Sequence, residues 1–375
     1  MIERIYDKLG DLIEPNKVLV LYGARQVGKT TLLKNFISKT SVKNKFDSGD
    51  NIKTQQVLSS QDFSRILEYA EGYELLIIDE AQQIPNIGMG LKIIVDQIPN
   101  IKVIATGSSS FELANQRGEP LTGRKRTIVL YPIAQKELLC HHNGYELKQK
   151  LEEFLIFGSY PEVITSKTRE EKILILTELI NSYILKDILA FEKVKASKIL
   201  LDLLKLLAFQ VGNLVSLNEL ALQLHIDVKT VGRYLDLLEK TFIIIRLGGF
   251  SRNLRKEITS KNKYYFVDNG IRNAIIGQFN VLDSRNDIGA LWENFIVTER
   301  LKSCSYNNAY GATYFWRTYD GQEIDLIEER DGMLFAYECK WNDRRKQPAP
   351  KEWKKQYPES QFMIITPENY LDFIR

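Results

Sequence analysis

Leu19 to Leu33 reads LVLYGARQVGKTTLL. Gly23, Gly28, Lys29 and Thr30 satisfy G-x-x-x-x-G-K-[ST], the spacing of a phosphate-binding loop. The apolar run Val18 to Tyr22 predicts a buried strand before the loop, and helix formers follow it, so the motif stands in the strand–loop–helix setting it requires. The residue types follow from the chemistry. Glycines let backbone N–H groups close around phosphate oxygens, and the next helix offers its positive N-terminus. Gly23, Ala24, Arg25, Gln26, Val27 and Gly28 are expected to wrap the phosphates of ATP, together with Thr31. Lys29 would reach the β- and γ-phosphates and Thr30 would hold Mg²⁺.

Further along, Leu75 to Gln82 reads LLIIDEAQ. Four apolar residues in a row suit a strand buried on both faces of a parallel sheet. The Asp–Glu pair then falls at its C-terminal end, where α/β sheets bind ligands. Asp79 is expected to serve Mg²⁺, directly or through water, and Glu80 to polarise the attacking water. A second buried strand from Ile101 ends in polar residues, of which Thr106 or Ser108 can hydrogen-bond the γ-phosphate or the water. GEPLTGRKRTIVLYPI then offers Arg117, Arg124 and Arg126 as candidate arginine fingers, Arg124 first. A finger aimed at a neighbouring copy would make the chain a homo-oligomer.

Composition narrows the class. The 375 residues allow about two or three domains, and 44% hydrophobic with 26% charged residues is an ordinary globular mixture. A net charge of +3 argues no nucleic-acid binding by itself, so such binding needs local basic patches. Three cysteines without a C-x-x-C pair and three histidines speak against a disulfide framework, a cysteine or histidine metal centre and a serine-hydrolase triad. No run of about 18 uncharged apolar residues occurs, and MIERIYDKLG lacks a signal-peptide core, so the expected place is the cytoplasm, away from membranes.

Met1 to Glu14 reads as a short amphipathic helix, and residues 136–198 as a helical lid or connector. Residues 199–284 carry an apolar helix, then VSLNELALQLHIDVKTVGRYLDLLEKTFIIIRL, then a second strand after a polar loop. Two helices, a tight turn and a two-stranded wing make a winged helix-turn-helix. Lys229, Thr230 and Arg233 on its second helix and Arg252, Arg255 and Lys256 in the wing form an electrostatic footprint for DNA phosphates.

In residues 285–375 strand alternation puts Glu338 and Lys340 on one face and Cys339 on the other. Asp325 projects from the neighbouring hairpin strand and Glu293 from the preceding helix. Glu293, Asp325 and Glu338 are a candidate metal set, since carboxylates bind Mg²⁺, and Lys340 can orient or deprotonate water. Asp325, Glu338 and Lys340 would then be catalytic.

These stretches resemble known families. GARQVGKTT, LLIIDEAQ, ATGSSSFEL and the Gly-Arg before YPI are similar to AAA+ ATPases of the archaeal and bacterial initiator-like branch, over roughly residues 1–135. That resemblance implies a core of five parallel strands with the nucleotide at its C-terminal edge. The D…E-x-K spacing in an αβββαβ order resembles the PD-(D/E)xK nucleases, with Ile324 where their proline stands. The full order resembles uncharacterised prokaryotic ATPases in which an AAA+ core precedes a domain of unknown function that has been compared with the PD-(D/E)xK fold. The expected fold is therefore α/β: an ATPase core, a helical connector with a winged helix, and a small restriction-endonuclease-like domain. The expected function is Mg²⁺-dependent ATP hydrolysis that acts on DNA. The alternative is a nucleotide-switched protein-interaction module with an inactive nuclease fold.

Overall fold

The computed structural model describes residues 2–108, 121–181, 197–251, 261–342 and 348–375. Arg117, Arg252, Arg255 and Lys256 lie outside them, as do Arg344, Arg345 and Lys346. The chain divides into two compact units, Met1–Tyr131 with Lys240–Phe242, and Pro132–Glu239 with Ile243–Arg375.

The first unit is built on β1 (Val18–Tyr22), β2 (Asn44–Ser48), β3 (Leu75–Asp79), β4 (Lys102–Gly107) and β5 (Lys125–Val129), ordered β2-β3-β4-β1-β5. Every neighbouring pair is parallel. VLVLY in β1 and LLIID in β3 are buried at all five positions, as strands covered on both faces must be. Leu76, Ile78, Val103 and Ala105 meet Leu91 and Ile94 of helix α4 (Ile87–Gln97, in the numbering α1 Lys29–Lys39, α2 Ile52–Leu58, α3 Phe63–Ala70) in one apolar core. Truncating Ile78 to alanine there would cost about 2–5 kcal/mol. Asn51 and Asp62 cap α2 and α3 by accepting hydrogen bonds from Lys53 and Arg65.

The helix expected over Met1 to Glu14 is not formed; residues 5–8 are turns and Leu9–Leu12 is a 3₁₀ segment. This segment is fixed instead by Arg4, whose guanidinium donates to the carbonyls of Val27 (2.5 Å) and Tyr131 (2.7 Å), while Leu9 and Ile13 are buried.

The second unit begins with five short helices, Gln135–Leu138, Gly144–Gln149, Leu151–Phe157, Pro161–Thr165 and Arg169–Leu179. There follow helix Ser197–Phe209, β6 (Leu214–Val215), helices Leu217–Leu224 and Val228–Lys240, β7 (Ile244–Gly249) and β8 (Asn262–Phe266). Helix Ile288–Tyr306 precedes β9 (Ala312–Arg317), β10 (Glu323–Arg330) and β11 (Met333–Cys339); helix Lys351–Gln356 and β12 (Gln361–Ile365) complete the sheet. One seven-stranded sheet, β12-β11-β10-β9-β7-β8-β6, holds all of these strands. The join is the parallel pairing of β7 with β9, Gly248 beside Tyr314 and Gly249 beside Phe315. The β7–β8 hairpin and the C-terminal strands therefore share one backbone ladder across residue 285.

A buried polar network ties the short helices to the rest of this unit. Asp268 accepts from the N–H (2.7 Å) and hydroxyl (3.2 Å) of Ser159. Lys302 pairs with Glu299 (2.7 Å), and Glu299 accepts from the Gln135 N–H (2.7 Å). Buried charges persist only when paired and hydrogen-bonded, and these are.

Candidate functional site

The phosphate loop closes between β1 and α1. Gly23 is the position where no side chain fits: a Cβ there would sit 2.1 Å from the carbonyl oxygen of Leu130, and its φ is +153°. Lys29, 4% exposed, donates to the carbonyls of Gly23 and Ala24, both at 2.9 Å. Its ammonium thus lies inside the curl of the loop, where a phosphate would exchange for these carbonyls. The Thr30 hydroxyl donates to Asp79 Oδ2 at 2.7 Å. The loop and the acidic end of β3, 49 residues apart, meet through this bond.

Glu80 is held in the left-handed region, φ 49° and ψ 40°. For a residue with a Cβ this costs about 1–3 kcal/mol, a strain that collects at functional sites. Its N–H donates to Asp79 Oδ1 (3.2 Å) and to Thr106 Oγ1 (3.1 Å). Thr106 is fully buried and gives its own proton to Asp79. Its hydroxyl is spent on positioning the acid, which leaves Ser108, just past the end of β4, as the candidate for the γ-phosphate or the water. Ser108 accepts from Gln82 Nε2 at 3.2 Å, and the same amide donates to Glu80. Nothing in the spacing of the LLIIDEAQ stretch singles out Gln82, which only these two bonds bring into the site.

A hydroxyl and a carboxylate beside a helix N-terminus are hard oxygen donors of the kind Mg²⁺ takes, so Thr30 and Asp79 fit that ion. Arg124 is a correction. It precedes β5, and its carbonyl accepts from the Val18 N–H (2.8 Å), which is the N-terminal end of β1. The guanidinium pairs with Asp96 at 2.5 Å. The phosphate loop lies at the other end of the strand, about 13 Å away at the rise of a β-strand. A finger in cis from Arg124 is excluded. Arg126 approaches Glu14 at 3.7 Å.

In the second unit the structure brings Asp325, Glu338 and Lys340 together. The β10–β11 register, Leu326 opposite Tyr337, sets Asp325 beside Glu338. Lys340 pairs with Glu338 Oε1 at 2.7 Å, while Glu338 Oε2 is buried without a hydrogen-bond partner. A bulge in β10 between Ile324 and Ile327 turns Asp325 inward, and bulges re-aim side chains in this way. Asp325 Oδ2 accepts the Cys339 N–H at 2.9 Å.

A residue outside the expected metal set of Glu293, Asp325 and Glu338 lies against two of its members. Lys263 of β8, fully buried, places its ammonium 3.0 Å from Glu293 Oε1, 3.6 Å from Asp325 Oδ1 and against Glu323 Oε1. Tyr265 also donates to Glu293 Oε1, at 2.7 Å. Among the described residues no group of three His, Cys, Asp or Glu side chains is gathered to hold a metal ion. Gly212, with φ +77°, is what lets the chain pass over the Glu293 carboxylate: a Cβ there would lie 2.8 Å from Oε2.

Burial, followed by the neighbouring Asp325 charge, pushes the Glu293 carboxyl up from 4.5 to about 7, against the opposing pull of Lys263 and Tyr265. The folded value lies above the unfolded one, so the folded state keeps this proton longer. The stability that results is complete below about pH 4.5 and is lost as pH rises through about 7. A shift of that size corresponds to roughly 3 kcal/mol. Glu293→Gln should therefore flatten the decline in thermal stability between pH 5 and pH 8 relative to the wild type. Parallel pH profiles of the two proteins would contradict the assignment.

On the recognition-helix candidate Val228–Lys240, Lys229 and Arg233 are exposed. Thr230 is half-buried and gives its hydroxyl to Asp227 at 2.6 Å, as a cap of this helix. That bond, with the Thr230 N–H, holds the Asp227 carboxyl below its usual range. No helix among the described residues is long and apolar enough to cross a membrane.

Residues 15–139 match the family model described as an AAA domain. Residues 148–281 and 288–372 match two further models, each described as a domain of unknown function, DUF8612 and DUF4143. An uncharacterized protein of Mycobacterium tuberculosis is 27% identical over 326 residues, covering 86% of this chain and 70% of its own. One from Haemophilus influenzae is 26% identical over 343 residues, covering 85% and 81%. A Walker-type ATPase of Pyrococcus abyssi superposes with a TM-score of 0.50 at 14% identity, over 74% of this chain and 96% of its own. At that identity the likeness concerns the fold. With a phosphate loop, an acidic strand end joined to it and the order β2-β3-β4-β1-β5, residues 15–139 are similar to AAA domains and share the fold of a Walker-type ATPase core.

Proposed function

We propose that the chain hydrolyses ATP with Mg²⁺ at the phosphate loop and uses the nucleotide cycle to act on DNA through residues 199–284. The observation that carries the first half is the Thr30–Asp79 bond of 2.7 Å with Glu80 next in the chain. Thr30 and Asp79 would hold the Mg²⁺, which supplies charge neutralisation of the phosphates. Lys29 binds the β- and γ-phosphates, Glu80 takes a proton from the attacking water, and Gln82 with Ser108 orients Glu80.

The second half is supported by element order. A helix, the short strand β6, two helices and the β7–β8 hairpin, with β6 paired to β8, is the order expected of a winged helix. Lys229 and Arg233 lie one turn apart on the exposed side of Val228–Lys240, which supports their meeting phosphates. The test is duplex binding across a salt series, with ATP turnover measured in the same samples. Replacing both Lys229 and Arg233 by alanine should weaken binding and reduce the slope of log affinity on log salt by about 2. An unchanged slope would move this segment to protein contact, the alternative reading.

A further inference from the structure

We infer that Lys263 is the resident cation of the carboxylate centre in the C-terminal sheet, so that this centre takes no divalent metal ion and carries out no metal-dependent phosphodiester hydrolysis in the folded chain. This goes beyond the ATPase reading and does not depend on it.

An ammonium group has three N–H bonds, which need three acceptors when no water is near. Lys263 is wholly buried, and three carboxylates surround its Nζ: Glu293 at 3.0 Å, Asp325 at 3.6 Å, and Glu323 in contact. Two of the remaining oxygens on these carboxylates are also engaged. Asp325 Oδ2 takes the Cys339 N–H (2.9 Å), and Glu323 Oε2 takes Arg317 (2.9 Å). Lys340 neutralises Glu338 on the neighbouring strand. A divalent ion bound between Asp325 and Glu338 would have to share Asp325 with a buried positive charge that has nowhere to go. Like charges that close cannot both be kept out of water.

The origin of Lys263 gives the arrangement its meaning. It comes from β8, in the hairpin, whereas Glu323 and Asp325 come from β10 and Glu293 from helix Ile288–Tyr306. The parallel β7–β9 pairing brings the hairpin into the C-terminal sheet and so delivers the lysine. The charge that a metal would supply to a nuclease-like centre is supplied by the preceding segment, and the same ion pairs fasten the hairpin to the strands beyond it.

The experiment is Mn²⁺ binding to the nucleotide-free full chain, followed by electron paramagnetic resonance, for the wild type, Asp325→Asn, Lys263→Met and the double variant. Wild type and Asp325→Asn should give the same isotherm. Lys263→Met should gain one Mn²⁺ site at least tenfold tighter than any in the wild type, and the double variant should lose it. A wild-type Mn²⁺ site removed by Asp325→Asn would overturn the inference, as would Mn²⁺-dependent DNA cleavage removed by that change. A well-folded Lys263→Met that gains no site would also overturn it, because the lysine would then not stand in the place of an ion. Should Lys263→Met fail to fold, the comparison of wild type with Asp325→Asn still decides.

Discussion

Lys29→Ala should weaken ATP binding by about two orders of magnitude or more. The ammonium is already inside the loop, 2.9 Å from the carbonyls of Gly23 and Ala24, so no rearrangement is needed to bring it to a phosphate. Hydrogen bonds to charged groups contribute about 1.5–3 kcal/mol each, and those to phosphate replace weaker ones to the two carbonyls. A net loss of about 3 kcal/mol is roughly 150-fold in affinity. The same change leaves the two carbonyls with one partner fewer, so thermal stability without nucleotide should fall too, by about 1–3 kcal/mol. Calorimetric titration with ATP separates the two effects, because only the first is read in the dissociation constant of the folded protein. ATP affinity within threefold of the wild type would remove Lys29 from the phosphate site.

The parts of this molecule that were legible in its sequence are those whose chemistry is local. The phosphate loop is written in the spacing of Gly23, Gly28, Lys29 and Thr30, and β1 and β3 in unbroken apolar runs. Both survive translation into structure because a strand buried on two faces tolerates few other residues. Asp325, Glu338 and Lys340 were also legible, since alternation within one hairpin puts them together. Three features were not. Arg124 carries the right charge near the right motif, but nothing in Gly-Arg says which end of the sheet it will occupy. Arg4 acts from an irregular segment with no period to detect. Lys263 stands 62 residues before Asp325 and meets it only through the β7–β9 pairing. A signal for Lys263 did exist: it shares a strand face with Tyr265 in NKYYF, so a charge lies on a side that alternation assigns to the core. A lysine so placed demands a counter-charge.

Glu80→Gln should leave ATP binding within a few-fold of the wild type while reducing the turnover rate by about 10²–10⁴-fold. The loss follows from the chemistry, since an amide has no lone pair basic enough to accept a proton from water, and general-base contributions are of this size. Binding is spared because of how Glu80 is attached. What ties it to the acidic end of β3 is its main-chain N–H, which donates to Asp79 Oδ1 at 3.2 Å and to Thr106 Oγ1 at 3.1 Å, and the substitution leaves both bonds in place. Its left-handed backbone, φ 49° and ψ 40°, is held by those same bonds. The side-chain oxygen of glutamine can still accept from Gln82 Nε2, so the polar chain from position 80 through Gln82 to Ser108 is kept. The variant therefore changes proton affinity at one position and little else. Single-turnover hydrolysis measured at saturating ATP, alongside an equilibrium titration, checks both halves. Wild-type turnover would show that the base lies elsewhere. A parallel loss of binding would show that the Glu80 charge holds the nucleotide complex together, and the assignment of Glu80 to the water would then fall.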